Sequence, residues 1–415
     1  MTRRRTIVTA ALLVGALGLT ACGTNRQEGG GSGGAAGGNA SCDTSKGTLV
    51  IGMVAPLSGG LSALGLGMSH SADLAVNQAN TKCTVPGYKL VFQAEDDQAT
   101  PQVAGQAATK LASDPNVVGV IGTLNSSTSQ TVQPILADRS IVQISPANTN
   151  PTLTLGDNPS SPSRKYPNYF RVATTDLIQG PFAAQYLVQK AGKKNIAVID
   201  DGKTYGAGLA ETFSGEAKKL GANVVAREKV GEKDTDFSGV IAKIRPSNPD
   251  AVYYGGEFPV AGPLSAQLAG AGLNIPLMGG DGLYDKQFVG LGGRAGDLCT
   301  NVGAPAESLP SAKQFLADYA AANYPDAYGA YGAFTYDSAN VIIDALAKTV
   351  QAGAWNEDAR KTVVQNVQAT NLQGAGGPVA FDQYGDTTNK VLTVYTVQGD
   401  NFTPVEGSTG SYQQS

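Results

Sequence analysis

The stretch from residue 117 to residue 151 constrains the fold of this chain more than any other. It opens with an apolar run, 117–121, that is typical of a buried strand. A polar loop and a helical segment from residue 126 to about 138 follow, and a second apolar run, 141–144, ends in another polar loop. Because strands joined by a helix run parallel in α/β sheets, this order predicts that both polar loops lie at the same edge of a sheet.

The two polar loops are rich in hydroxyl side chains, and two interpretations of them remain open. Ser126 and the three hydroxyl residues after it, 127–129, stand where the helix is expected to begin. Such residues commonly cap the free N–H groups of the first helical turn. Those N–H groups, together with the positive end of the helix dipole, also suit a carboxylate ligand at the edge of an open sheet.

The alternation of strands and helices continues through most of the chain. Further strands are predicted at 48–54, 88–93, 195–199, 251–254 and 276–278, and further helices at 207–220, 263–271 and 355–368, among others. Residues 173–180 are interpreted as a crossing into a second unit, and the glycine-rich segment 374–377 as a flexible stop. The expected class is α/β, with two Rossmann-like lobes whose sheets are parallel and whose sequences interleave.

The N-terminus predicts an exported protein with a lipid anchor. An arginine run, 3–5, precedes an apolar stretch, 7–19, that is too short to be a comfortable membrane span. The sequence LTACG at 19–23 resembles a bacterial lipobox, which predicts cleavage before Cys22 and its diacylation. A plain cleaved signal peptide is the alternative, and the arginines leave twin-arginine export open. The Gly- and Ser-rich segment 25–40 predicts a flexible tether at the extracytoplasmic face of the cell membrane.

Composition argues against several classes of function. Charged residues make up 15% of the chain and the formal net charge is −4, which provides no basic patch for nucleic acid. The single histidine, His70, removes His-based catalytic triads and His-rich metal sites, and the chain has no phosphate-binding loop motif. The acidic run 95–97 resembles a metal cluster, but consecutive strand residues point to different faces, which favours solvation and hinge bonding. We therefore expect no enzyme activity, no metal and no cofactor.

The cysteines suggest one disulfide in the body of the protein. Four cysteines are present, and export makes disulfides possible. Cys22 belongs to the predicted anchor. Cys42, just before the first strand, and Cys83, after the first helix, are hypothesised to pair, which would leave Cys299 as a free, buried thiol.

Short motifs spread along nearly the whole chain resemble those of one protein family. They are IGMVAPLSG at 51–59, EDDQATP at 95–101, the segments 120–130 and 144–151, DDGKTYGAG at 200–208, DAVYYGG at 250–256, LMGGDG at 277–282 and the Gly-Pro pair 377–378. In order and spacing the chain is similar to the leucine/isoleucine/valine type of solute-binding protein for ABC importers. The resemblance implies two α/β lobes joined by three crossings, which close on a small ligand. The implied boundaries are a signal peptide at 1–21, lipidated cysteine and tether at 22–45, lobe I at 46–174 plus 303–376, and lobe II at 175–302 plus 377–415.

The resemblance also implies roles for individual residues. Ser126 matches the serine that binds the ligand carboxylate, Ala147 a backbone contact, and Thr149 the threonine that meets the same carboxylate and the ammonium group. Tyr205 matches an aromatic residue that covers the ligand, and Asp281 the acid, usually Glu, that pairs with the ammonium. The physical requirements agree, because a zwitterion needs hydrogen-bond donors at one end and an anion at the other.

Some residues depart from the family pattern. Glu257 stands where the family often has an aromatic residue, and Leu64 where a tyrosine often lines the side-chain pocket. Ala99 and Asn125 occupy the positions of an early disulfide of the family. Glu257 puts a strict leucine/isoleucine/valine preference in doubt, since it would either favour a polar or cationic side chain or point to solvent.

The expected function is capture of an amino acid, branched-chain or a related polar one, for delivery to an ABC permease. The protein is expected to act as a monomer held at the membrane by its lipid. A urea or short-amide binding protein of the same superfamily is the alternative, against which Asp281 argues. A sensor module that reports ligand binding to a membrane kinase is a further alternative.

Overall fold

The computed structural model describes residues 42–412, which form two open sheets covered by helices. The predicted signal peptide, the lipidation site Cys22 and the tether 25–40 lie outside the described residues. Within the described part, no helix is both long enough and apolar enough to span a bilayer.

The first sheet is parallel and contains the stretch that constrained the fold. Its strands are β1 (Gly47–Ala55), β2 (Tyr88–Asp96), β3 (Val117–Gly122), β4 (Val142–Ser145) and β5 (Tyr169–Arg171), in the order β2-β1-β3-β4-β5. The helices between them are α1 (Ser62–Thr81), α2 (Pro101–Ala112), α3 (Ser126–Ala137) and the short α4 (Thr152–Leu155). The polar loops after β3 and β4 therefore lie side by side at one edge, as the sequence predicts.

The chain then builds most of a second sheet. Its helices are α5 (Asp176–Gln185), which continues into a π-helical turn (Tyr186–Lys190), α6 (Thr204–Lys219), α7 (Ser238–Ile244), α8 (Phe258–Gly270) and the short α9 (Gln287–Gly290). Its parallel strands are β6 (Asn195–Asp200), β7 (Asn223–Lys229), β8 (Ala251–Gly255), β9 (Leu277–Gly279) and β10 (Leu298–Val302).

The rest of the chain returns to the first sheet and then completes the second. Helices α10 (Lys313–Ala322), α11 (Gly332–Ala352) and α12 (Arg360–Gln368) come next, and α11 and α12 pack on β3 and β4. A hairpin of β11 (Asn371–Gly374) and β12 (Gly377–Ala380) follows. Strands β13 (Val391–Gln398), β14 (Asn401–Pro404) and β15 (Gly410–Ser411) then add antiparallel to β10 and to one another, giving the order β14-β13-β10-β9-β8-β6-β7 with β15 beside β13.

The path of the chain confirms the predicted fold class. It passes between the two sheets three times, after β5, after β10 and before β13. We call the first sheet with α1–α4 and α10–α12 the first lobe, and the second sheet with α5–α9 the second lobe. The residue boundaries assigned to the lobes from the sequence stay a prediction.

Close packing on both faces explains why β3 is apolar throughout. All six of its residues are buried, with helices of the first lobe on either side. Gly119 is required at its centre, because a Cβ there would lie 2.8 Å from Val142 Cγ1 and 3.0 Å from Ile342 Cγ2. Each fully buried Val or Ile in such a strand contributes about 1.5–3 kcal/mol of hydrophobic stabilisation.

One interlobe segment is predicted correctly, and one local prediction is wrong. The segment 173–180 leads from β5 into the second lobe, as predicted, and its last five residues begin helix α5, which packs against α6. The segment 374–377 is a tight hairpin turn rather than a flexible stop, because the Asp337 carboxylate accepts hydrogen bonds from the N–H groups of Ala375 (2.6 Å) and Gly376 (2.8 Å). Burial raises the pKa of Asp337 to about 7.

The starts of the three further helices whose predicted bounds are given above also differ from the predictions. Helix α6 begins at Thr204 instead of 207, α8 at Phe258 instead of 263, and α12 at Arg360 instead of 355. The first of these moves Tyr205 from the predicted loop into a first helical turn, and the second places Glu257 directly before a helix. Pro259 fits the first turn of α8 because its missing N–H would have no partner there, and Pro263 lies inside the helix.

The cysteines and the acidic run take definite places. Cys42 and Cys83 form a disulfide, and Cys299 is a free cysteine buried in β10. Asp96 accepts hydrogen bonds from the N–H groups of Leu57 (2.9 Å) and Ser58 (3.3 Å), so it ties the end of β2 to the loop after β1. Across residues 42–412 there is no group of three or more metal-ligating side chains placed to hold a metal ion.

Candidate functional site

The loops at the carboxyl ends of the two sheets meet around one small cavity. The first lobe contributes Leu64, Leu124, Asn125, Ser126, Ala147 and Tyr331 to its lining. The second lobe contributes Tyr205, Glu257, Asp281 and Gly282. Strand ends at the switch points of parallel sheets are where α/β proteins bind ligands, so this cavity is the candidate site.

The structure brings five of the six predicted ligand residues together in this cavity. Ser126, Ala147, Tyr205, Glu257 and Asp281 all line it. Thr149, the sixth, is fully buried but does not line the cavity. The sequence left open whether Glu257 points to solvent or lines the pocket, and the structure shows that it is 7% exposed and lines the cavity. The roles of these residues in binding remain predictions.

Asp281 is held in the cavity wall by three hydrogen-bond donors. Its Oδ1 accepts from Tyr205 Oη (2.8 Å) and from Gln179 Nε2 (2.8 Å), and its Oδ2 accepts from Tyr331 Oη (2.8 Å). Tyr331 belongs to the first lobe, so the last of these bonds joins the two lobes. Gln179 also accepts from the backbone N–H of Asp281 (3.1 Å) and from Thr300 Oγ1 (2.9 Å), which fixes its amide orientation.

The electrostatics of this wall favour a cationic partner. Burial raises the pKa of Asp281, although the hydrogen bonds from Tyr331, Gln179 and Tyr205 counteract part of that rise. Burial, with the charge of Asp281 nearby, also raises the pKa of Asp176 to about 7. Asp176 and Asp281 are close enough that the charge of one makes ionisation of the other less favourable. A cation bound in the cavity beside Asp281 would make ionisation of both more favourable.

Tyr205 reaches Asp281 because α6 packs very closely on the second sheet. A Cβ on Gly206 would lie 2.4 Å from the carbonyl oxygen of Gly255, so only glycine permits this approach. The hydroxyl of Tyr205 also accepts a hydrogen bond from the N–H of Gly282 (3.1 Å). The helix start and the loop after β9 are thereby fixed to each other.

The first lobe presents hydroxyl groups and a helix N-terminus. Ser126 is the first residue of α3, it is buried, and its Oγ has no hydrogen-bond partner. The loop after β4 is shaped by Ser145, whose Oγ accepts from the N–H groups of Ala147 (3.2 Å) and Asn148 (2.8 Å). Thr149 Oγ1 makes no well-aligned hydrogen bond, and its hydroxyl lies beside the Asp176 carboxyl. Donors of this kind suit a carboxylate at the start of α3.

A buried arginine holds the loop after β4 from behind. Arg171 donates to the carbonyl oxygens of Asn148 (3.2 Å) and Asn150 (2.8 Å) and pairs with Asp386 at 2.6 Å. Asp386 lies just before β13, in the third passage between the lobes. This arginine therefore connects the loop that carries Ala147 to an interlobe segment.

Glu257 belongs to a second polar network that also spans the lobes. Its Oε1 accepts from Asn125 Nδ2 of the first lobe (2.7 Å), and its Oε2 pairs with Lys203 Nζ (3.2 Å). Lys203 also pairs with Glu232 at 3.0 Å. Burial by itself would lower the pKa of Lys203, but Glu257, Asp201 and Glu232 raise it above its ordinary value. Burial, with the charge of Glu257, raises the pKa of Asp201.

The two lobes are closed against each other in this structure. The cavity volume is about 10 Å³, which is room for about one water molecule. Besides the bonds from Asn125 and Tyr331, Asn150 Nδ2 donates to the carbonyl oxygen of Thr204 (2.8 Å) and Thr204 Oγ1 to Gln130 Oε1 (3.1 Å). An amino acid is larger than this cavity, so it could enter and be held only with the lobes further apart than they are here.

Sequence reasoning missed four residues of the site. Tyr331, Gln179 and Lys203 contact the two acids, and Asn125 was noted only as a departure from a family disulfide. Lys203 could have been predicted as a site residue, since it closely follows two aspartates at the end of β6. Tyr331 and Gln179 could not, because each approaches Asp281 from a distant part of the chain and nothing in its own sequence neighbourhood indicates the contact.

Comparison with known proteins agrees with this architecture. The family model described as periplasmic binding protein matches residues 48–401. The Leu/Ile/Val-binding protein of Escherichia coli K12 is 31% identical over 339 residues, 81% of this chain and 88% of that protein. The Leu/Ile/Val-binding protein BraC3 of Rhizobium johnstonii is 29% identical over 349 residues, 84% of this chain and 91% of that protein.

Solved structures share the fold over almost their full length. The leucine-binding protein LivK of Thermotoga maritima superposes with a TM-score of 0.76 at 26% identity, covering 86% of this chain and 97% of that one. A solute-binding protein from R. palustris in complex with benzoate superposes with a TM-score of 0.74 at 21% identity, covering 88% of this chain and 98% of that one. The fold by itself thus accommodates ligands of different chemistry. The chain belongs to the periplasmic binding protein family, in its type I branched-chain amino acid group.

Proposed function

We propose that this protein is an extracytoplasmic solute-binding lipoprotein that captures an amino acid between its lobes and delivers it to an ABC import permease. The observation that carries the proposal is the placement of Asp281, a fully buried carboxyl of the second lobe, in the same cavity as the unpaired hydroxyl of Ser126. The two chemical partners that a zwitterion requires are thereby contributed by different lobes.

In this proposal the ammonium group of the ligand binds Asp281. The carboxylate already accepts three hydrogen bonds, but they come from neutral donors. A cation would supply the missing charge in a site with little access to water, where charge-assisted bonds are strong. Urea and short amides carry no such charge, so the alternative of a urea-binding protein leaves Asp281 uncompensated.

The carboxylate of the ligand binds the first lobe in this proposal. The start of α3 offers free backbone N–H groups, and the Ser126 hydroxyl adjoins them without a partner. Ala147 would contribute backbone contacts from the next loop. Thr149 would act from behind that loop, since it does not line the cavity.

Binding at both ends would drive closure. A ligand held by Ser126 on one lobe and Asp281 on the other makes all its contacts only when the lobes are together, so it shifts the population toward the closed form. The bond from Tyr331 to Asp281 and the bond from Asn125 to Glu257 add direct contacts between the lobes in that form.

The relatives support a role in amino acid transport. The names of several relatives specify leucine, isoleucine and valine, and one from Salmonella typhimurium adds threonine. Capture and delivery require no chemical reaction, cofactor or metal. Delivery to a permease and a lipid on Cys22 follow from the family and from the lipobox-like sequence.

Calorimetry on ligand-free protein tests this function. The protein is unfolded, dialysed and refolded to remove any bound solute, and is then titrated with the twenty amino acids, urea and acetamide. We expect one or more amino acids to bind at micromolar affinity or tighter, and urea and acetamide not to bind. Binding of urea or acetamide with no response to amino acids would contradict the proposal.

The anchor is tested separately in intact bacteria. Cells that express the full chain are labelled with a radioactive fatty acid, with a Cys22→Ser variant as the matched control. We expect label on the wild-type chain only, and release of the variant from the membrane fraction. Equal labelling of both chains would show that Cys22 is not the lipid attachment site.

A further inference from the structure

The second acid of the cavity, Glu257, is placed differently from Asp281. Its partner from the first lobe is Asn125, and the two residues are 7% and 4% exposed. Both line the cavity that the proposed ligand occupies. The pair is therefore in position to meet the ligand side chain if Asp281 and Ser126 hold its two charged ends.

The pair has more hydrogen-bond acceptors than donors. Asn125 Nδ2 donates to Glu257 Oε1 at 2.7 Å, while Asn125 Oδ1 is buried and has no hydrogen-bond partner. An apolar side chain pressed against these atoms would leave Asn125 Oδ1 without a partner, which is unfavourable in a buried site. A side chain with N–H groups would satisfy this amide oxygen, and a second N–H could use the remaining acceptor capacity of the Glu257 carboxylate.

The charges around Asn125 and Glu257 also favour hydrogen-bond donors on the ligand side chain. One ammonium, Lys203, stands among three carboxyls, those of Glu257, Glu232 and Asp201. Asp201 is buried, and one of its oxygens has no hydrogen-bond partner. This surplus of negative and acceptor groups disfavours an acidic side chain on the ligand and tolerates a neutral amide or a cation.

Space is available beyond the pair. Glu257 and Lys203 also line a groove of about 400 Å³ between the lobes, along with Ser58 and Gln98. Glu257 therefore stands between the closed cavity and this groove. A side chain longer than that of valine could pass beside Asn125 and Glu257 and extend toward the groove.

We propose that the ligand is an amino acid whose side chain ends in N–H donors, bound by Asn125 Oδ1 and by Glu257 Oε1, which keeps its bond from Asn125 Nδ2. This inference rests on the proposed capture of an amino acid. It sets the chain apart from the relatives whose names specify only aliphatic amino acids.

Calorimetry with pairs of amino acids of similar size tests the inference. Asparagine is compared with leucine, glutamine with methionine and with glutamate, and lysine and arginine represent cationic side chains. We expect the tightest donor-bearing amino acid to bind at least about tenfold more tightly than leucine or methionine, and glutamate to bind weakly. Comparison of asparagine and glutamine with lysine and arginine shows whether an amide or a cationic donor is preferred.

Variants connect the preference to the pair. Glu257→Leu should reduce or reverse the preference for donors, and Asn125→Leu should do the same if the first variant folds poorly. Glu228→Gln is the matched control, because Glu228 is another acid of the second lobe that pairs with a lysine, Lys243 at 2.8 Å, and does not line the cavity. Thermal unfolding checks that each variant is folded.

The outcomes separate this inference from the proposed function. A donor preference in the wild type that is lost in Glu257→Leu supports it. Aliphatic amino acids that bind the wild type as tightly as donor-bearing ones, or a ranking unchanged in both variants, would overturn the inference while leaving amino acid capture intact. If no amino acid binds, the proposed function fails and this inference fails with it.

Discussion

Asp281 and Glu257 both belong to the second lobe and both line the cavity, yet their surroundings differ. Asp281 accepts hydrogen bonds from three neutral donors and has no cation beside it in the described structure. Glu257 is paired with Lys203 and with the amide of Asn125. Two buried acids of one cleft can therefore serve different purposes. In the proposals above, the acid without a counter-charge binds a cation of the ligand, and the acid with a counter-charge discriminates among ligands by the hydrogen bonds they offer.

Substitution of Asp281 should have the largest effect. Asp281→Asn keeps the size and removes the charge, so an ammonium group would lose its partner in a dry site. We expect amino acid affinity to fall by more than about 100-fold, measured by calorimetry. Asp285→Asn is the control, since Asp285 lies four residues later in the sequence and outside the cavity lining. Retention of affinity within a few-fold by the Asp281 variant would show that this acid does not bind the ammonium.

Substitution of Ser126 should have a smaller effect on affinity and no effect on stability, because its hydroxyl has no hydrogen-bond partner in the closed structure. Ser126→Ala should weaken binding by about tenfold through loss of a charge-assisted bond to the ligand carboxylate. The same variant should not lower the free energy of unfolding of ligand-free protein, since no hydrogen bond is lost. Ser127→Ala, at the half-buried next position, is the control for affinity. An unchanged affinity in the Ser126 variant would remove the hydroxyl from the site.

The pH dependence of binding should follow the charge of Asp281. Burial raises the pKa of this carboxyl, so it takes up a proton at a higher pH than an exposed aspartate. A proton and the ligand ammonium compete for it, and affinity should therefore decrease as the pH falls through the raised pKa, by at most about tenfold per pH unit. Titrations from pH 7.5 down to about pH 4, the ordinary value for an exposed aspartate, measure this. Affinity that stays equal across this whole range would indicate that Asp281 is not the group that pairs with the ligand.

The stability of the ligand-free fold should respond to pH in the opposite sense. Burial raises the pKa of Asp97 and of Asp337 to about 7 in the folded state. Both therefore hold protons in the folded chain at pH values where the unfolded chain has released them, and stability is lost as the pH rises through 7. Between pH 6 and pH 8 we expect a loss on the order of 1 kcal/mol per carboxyl, measured by denaturant unfolding. Higher stability at pH 8 than at pH 6 would contradict this.

The sequence was sufficient to predict the parallel sheets and the edge at which their loops meet. Apolar runs such as 117–121 and the helices between them fix the direction of the strands, and direction fixes which loops share an edge. Ser126, Ala147 and Asp281 follow from that rule together with the family resemblance. They meet in one cavity because of the topology of the sheets, and the alternation of apolar runs and helices in the sequence is enough to predict that topology.

The sequence was insufficient where contacts between distant segments decide the outcome. Tyr331 approaches Asp281 only because the chain returns to the first lobe after β10. Asp337 turns an apparently flexible glycine segment into a fixed hairpin. The orientation of Glu257 depends on where α8 begins, and the proline at 263 indicated a later start than the structure has. None of these is encoded in the residues on either side.

A titration with three related molecules tests the central claim most directly. The amino acid that binds most tightly is compared with the amine that lacks its carboxylate and with the acid that lacks its ammonium group. If hydroxyl groups of the first lobe hold one end and Asp281 the other, the intact zwitterion should bind more than about 100-fold more tightly than either analogue. Equal affinity for the acid that lacks the ammonium group would contradict the account.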